Sequence, residues 1–85
     1  MKEYGHTVIN ELGMHARPAG MFVKLAKSCK SKIVICKDDK SSDVVRIMNV
    51  MRMGIRQGDE ILITIEGEDE EEALQEVEKV CRDCL

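Results

Sequence analysis

Eighty-five residues with a net charge of −3 are enough for one two-layer domain, expected to span residues 1–85. One Tyr, one Phe and no Trp, with acid gathered between Glu66 and Glu78, argue against base stacking and against a general nucleic-acid binder. No apolar run is long enough to cross a bilayer and no signal-peptide pattern opens the chain, so no membrane insertion is expected and the cytoplasm is the expected compartment.

Residues 3–9 alternate loosely and suit a strand with Tyr4, His6 and Val8 on one face. A loop from Asn10 to Met14 follows. Pro18 is tolerated only in the first turn of a helix, where its missing N–H has no intrahelical partner to lose. Ala19, Phe22, Val23 and Ala26 then recur at helical spacing, which predicts a helix to about Lys27 with His15 at its N-cap. Ser28-Cys29-Lys30-Ser31 ends it. Ile33 to Lys37 is rich in β-formers, Asp38-Asp39-Lys40 is a turn, and a short strand pairs back near Lys40 to Ser42.

Ser42 or Asp43 can cap a second helix, read from about Val44 to Met51 or Arg52, with Gly54 near its C-cap. Gln57-Gly58-Asp59 turns into a strand from Glu60 to Glu66 whose Ile61, Ile63 and Ile65 face the core. After Gly67, Asp69 or a neighbouring acid opens a third helix with Ala73, Leu74, Val77, Val80, Cys81 and Cys84 as its buried stripe. The order βαββαβα predicts an α+β open-faced sandwich, with three helices on one face of a four-stranded, mainly antiparallel sheet.

Chemistry is concentrated in Gly13-Met14-His15-Ala16-Arg17-Pro18. The start of a helix gathers free backbone N–H groups and the positive end of the dipole, which favours anions and phosphate above all. An imidazole there can attack a phosphoryl group, carry it, and have its oxygens held by the N–H groups of Ala16 and Arg17 and by the Arg17 side chain. His6 is expected to be half-buried with one satisfied nitrogen. Cys81-Arg-Asp-Cys84 closes a helix rather than opening one, and no second pair matches it. Packing is therefore the favoured reading of both sulfurs, a thiol or zinc module the alternative. No metal and no cofactor are expected.

Three blocks carry a family resemblance: Gly13-Met14-His15-Ala16-Arg17-Pro18-Ala19, the stretch Ile47-Met48-Asn49-Val50-Met51-Arg52-Met53-Gly54-Ile55, and Gln57-Gly58 followed by Glu66-Gly67-Glu68-Asp69. Over its whole length the chain resembles the HPr family, the histidine phosphocarriers of the bacterial sugar phosphotransferase system. The resemblance implies that His15 accepts the phosphoryl group on Nδ1, assisted by Arg17. Enzyme I would be the donor and the A components of sugar permeases (enzymes II) the acceptors, with no enzymatic activity in the chain itself. An HPr-like regulatory protein that does not feed sugar uptake is the other reading.

The partner surface is expected at Gly20, Met21, Lys24 and Lys27 of the first helix and at Arg46, Ile47, Met48, Met51 and Arg52 around the second, on a monomer. A core role is the rival reading for Met51 and Met53, and the family resemblance tips Met48 and Met51 toward the surface. Two positions depart from the family. Arg46 stands where Gram-positive relatives carry a regulatory serine. Leu12 replaces the small polar residue commonly found before the motif's glycine, removing a side chain able to order the His15 loop.

Overall fold

The computed structural model describes all 85 residues. In chain order the elements are β1 (Lys2–Thr7), α1 (Ala16–Ser28), β2 (Lys32–Lys37), β3 (Lys40–Asp43), α2 (Ile47–Met51), β4 (Glu60–Glu66) and α3 (Glu70–Cys84). The strands form one sheet in the order β1-β4-β2-β3, and every neighbouring pair is antiparallel.

Period-two alternation decides which face each strand buries. On β4, Ile61, Ile63 and Ile65 point to the helices and are almost fully buried, while Glu60, Leu62 and Glu66 face water. The register aligns Ile63 with Tyr4 on one side and Ile35 on the other, so one apolar stripe crosses the sheet. Phe22 and Ala19 of α1, Val50 of α2 and Val77, Val80 and Cys81 of α3 close over it. These elements follow the expected architecture: helices on one face, an open sheet on the other.

The second helix begins later than expected. Ser42 and Asp43 do not cap it, because both are taken up in β3, opposite Ile35 and Val34. Val44 then donates its N–H to the Ile33 carbonyl and is fully buried, which holds the chain out of helical geometry for one more turn. The helix starts at Ile47, with Arg46 extended at the N-cap and no side-chain cap bond. Sheet pairing and burial of Val44 override the local capping preference of Ser and Asp.

His6 also differs. It lies opposite Ile61 on the helix-facing side, its ring stacked on Tyr4 at 6.2 Å between centroids, and its buried Nε2 has no partner. Nε2 is the one ring nitrogen that is both buried and without a partner, because the face it joins is apolar. Met53 is core, at 5% exposure, whereas Met51 is exposed.

Candidate functional site

His15 occupies the N-cap of α1 with extended backbone (φ −101°, ψ −173°). Its carbonyl accepts the first helical bond, from Ala19 N–H at 3.1 Å. Of the N–H groups left over at a helix start, His15's own is used locally, donated to the Gly13 carbonyl at 3.1 Å. Pro18 has none. Those of Ala16 and Arg17 have no backbone acceptor and no side-chain cap, and both residues are exposed. There is no acid in the first turn. Arg17 joins no ion pair within the chain. His15 itself is partly exposed. The helix end thus offers two unpaired donors, one free guanidinium and one imidazole to an anion from solvent.

The loop that delivers His15 is ordered by residues whose role was not evident in the sequence. Gly13 has φ +63°, and a Cβ there would run into the carbonyl oxygen of Ile55, so only glycine fits. That carbonyl accepts Met14 N–H at 3.0 Å, and the Met14 side chain is buried. Asn10 supplies the rest: its Oδ1 accepts Leu12 N–H at 3.3 Å and its Nδ2 donates to the Gly13 carbonyl at 3.2 Å. Leu12 itself is 71% exposed and orders nothing with its side chain. The signal was an Asn three residues before a left-handed glycine, an Asx-turn pattern.

The segment bearing Ile55 is anchored in turn. Asp59 accepts Arg56 N–H at 2.7 Å and the Lys37 ammonium at 2.8 Å, and Lys37 also donates to the Gly54 carbonyl at 3.0 Å. The Lys37 hydrogen bond, then the Arg56 N–H, hold the Asp59 carboxyl below its ordinary range.

The residues expected to meet partners divide into two groups. Gly20 is half-buried, with the Ile47 side chain packed over it, and this contact brings α2 beside α1. Around α2, Arg46, Met48 (57% exposed), Met51 and Arg52 are exposed, while Ile47 packs against the core. Lys24 and Lys27 are exposed on α1. Met21 leans the other way, its Sδ 3.4 Å from Cys84 Sγ at the end of α3. Of the C-terminal cysteines, Cys81 is fully buried and its thiol is pushed up to about 12, by burial first and by Cys84 and Glu78 after it. A thiol that far from ionising is a packed apolar side chain, not a nucleophile.

Known proteins match along nearly the whole chain. The family model described as "PTS HPr component phosphorylation site" matches residues 3–83. The phosphocarrier protein HPr of Mycoplasma capricolum is 35% identical over 83 residues, covering 98% of this chain and 93% of the relative. A solved Mycoplasma histidine-containing phosphocarrier superposes with a TM-score of 0.91 at 34% identity, covering 96% of this chain and 93% of that one. The crystal structure of HPr-C-His from Thermoanaerobacter tengcongensis gives 0.88 at 38% identity, with 96% and 92% covered.

Proposed function

Because this chain belongs to the HPr family of the phosphotransferase system, we propose that His15 is its phosphoryl acceptor, taking the group from phospho-enzyme I and passing it to the A components of sugar permeases. The carrying observation is the imidazole at a helix start where Ala16 and Arg17 N–H are unpaired and no acid competes. The ring nitrogen without a proton, Nδ1 by family likeness, attacks phosphorus. The new N–P bond forms as the bond to the donor breaks, and the donor leaves with that electron pair. The two N–H groups and the Arg17 guanidinium balance the phosphoryl oxygens during transfer.

Reversal to the acceptor needs a hold that is firm but open. An exposed helix end with two donors and one cation meets that need better than an enclosed cage would. His15 is partly exposed at an open helix start, so the partner protein supplies the remaining surroundings at each transfer. That supports a carrier rather than an enzyme in its own right. Exposed methionines beside α1 suit docking on more than one partner, because the thioether side chain adapts its shape. The basic residues Arg17, Lys24, Lys27 and Arg46 suit acidic partner faces. No helix is long and apolar enough to cross a membrane; a monomer acting in the cytoplasm fits the role.

Incubation with enzyme I and radiolabelled phosphoenolpyruvate tests the proposal. The expected result is an acid-labile, alkali-stable label on the wild-type chain and none on His15→Ala. Label retained by that variant would place the acceptor elsewhere.

A further inference from the structure

We infer that Asn10 is a positioning residue for phosphoryl transfer at His15, acting through the carbonyl of Gly13; this rests on the phosphocarrier reading above. The Gly13 carbonyl receives two donors, Asn10 Nδ2–H at 3.2 Å and His15 N–H at 3.1 Å. One of them comes from the side chain that spans the loop, the other from the residue that carries the phosphate. The second arm of the Asn10 amide, Oδ1, accepts Leu12 N–H at 3.3 Å. Both ends of the primary amide are therefore used, one on each side of the peptide leading into Gly13.

Asn10 can act as a fixed point because its own backbone is held. Its N–H donates to the Leu85 carbonyl at 3.1 Å, and its carbonyl accepts Gly13 N–H at 3.0 Å. On the far side of the loop, the Ile55 carbonyl leaves no room for a side chain at Gly13 and accepts Met14 N–H. The residues from 10 to 14 are gripped from both sides, and the exposed Leu12 contributes only its backbone.

The consequence for chemistry lies in which N–H groups face the incoming phosphoryl group. While Gly13 keeps its orientation, His15 N–H is engaged by its carbonyl and those of Ala16 and Arg17 are left without an acceptor. The imidazole then leaves the backbone in one direction relative to those two donors. Without Asn10, the Gly13 carbonyl can rotate, His15 N–H is released, and the ring and donors lose their common frame. Small losses of alignment lower a transfer rate without weakening docking. Asn10 makes and breaks no bond in the reaction.

The test compares wild type, Asn10→Ala and Asn10→Asp in transfer from phospho-enzyme I, with rate at saturation and KM determined separately and the His15 ring nitrogens followed by NMR. Asn10→Ala is expected to lower the saturated rate about three- to tenfold, the size that one or two neutral hydrogen bonds carry. KM should move less than about twofold and the ring-nitrogen shifts should change. Asn10→Asp keeps the acceptor for Leu12 N–H but has no donor for Gly13, so its rate should be no better than that of the alanine variant. It also decides the matter should Asn10→Ala fold poorly.

A wild-type rate in either variant, or a loss confined to KM, overturns the role of Asn10. A wild-type chain that takes no phosphoryl group, or a His15→Ala variant that still does, overturns the carrier reading instead.

Discussion

The molecule has two full-length helix starts, and they have been treated in opposite ways. At α3 the N-cap is Asp69 and the first turn holds Glu70, Glu71 and Glu72. The Asp69 carboxylate accepts Lys30 N–H at 2.9 Å and the Ser31 hydroxyl, and Glu70 accepts Gly67 N–H. That end's dipole meets the chain's own acids, although none of them caps an α3 N–H. At α1 the cap is a histidine, the first turn has no acid, one N–H is removed by Pro18 and two are left over. A dipole and unpaired donors exist at both ends, since any helix has them. Only the end that the sequence leaves unneutralised is available to an outside anion, and there the imidazole stands.

Exchanging the character of the two ends gives the largest expected effect. Arg17→Glu places an acid in the first turn of α1, as in α3, and removes the free cation. The kcat/KM for transfer from phospho-enzyme I should fall about a hundredfold or more, whereas Arg17→Gln should cost about tenfold, the low end of the range for losing a charged hydrogen bond of roughly 1.5–3 kcal/mol. Equal losses in the two variants would mean that the acid is not felt.

The converse change, Asp69→Ala at α3, should leave transfer within about twofold of wild type and lower stability. The Ser31 hydroxyl, then the Lys30 N–H, hold the Asp69 carboxyl below its ordinary range. A carboxylate so depressed adds stability that is complete above the ordinary Asp value near pH 4 and is lost as pH falls below it. Thermal midpoints measured from pH 7 down to pH 2 should therefore drop steeply in wild type and less steeply in Asp69→Ala. Parallel curves would assign the acid sensitivity to other groups, Asp59 first among them.

The smallest effect is expected at the third helix start, where Arg46 sits exposed at the N-cap of the five-residue α2. Arg46→Ser should reduce transfer about two- to threefold at low salt and by nothing measurable above about 0.5 M, because an exposed charge steers partners only within the screening length. The same rate at every ionic strength would remove Arg46 from the docking surface.

Much of this was legible in the chain because strong local signals agreed with the tertiary fold. Pro18 placed the start of α1, and with it His15. The alternation of Ile61, Ile63 and Ile65 announced β4 and its buried face. The start of α2 was misread where local and long-range preferences conflict: Ser42 and Asp43 are good caps, but β2 pairs with them and Val44 is needed in the core. The partnerless nitrogen of His6 was hidden for a similar reason, since its surroundings depend on what lies across the strand pair. The scaffold behind His15 was the least visible part. The Asn10 amide, the Ile55 carbonyl and the Lys37–Asp59 pair meet only after residues as many as 49 positions apart have been brought together. An Asn-x-x-Gly pattern marked the loop, and nothing in the sequence marked its backing.

On the proposed function, the two unpaired amides at the start of α1 hold the phosphoryl group. Amide NMR of the chain before and after phosphorylation by enzyme I and phosphoenolpyruvate tests it directly. The Ala16 and Arg17 N–H protons should move strongly downfield while those of Glu70 to Glu72 stay in place. A fully phosphorylated His15 with the Ala16 and Arg17 protons unmoved would contradict it.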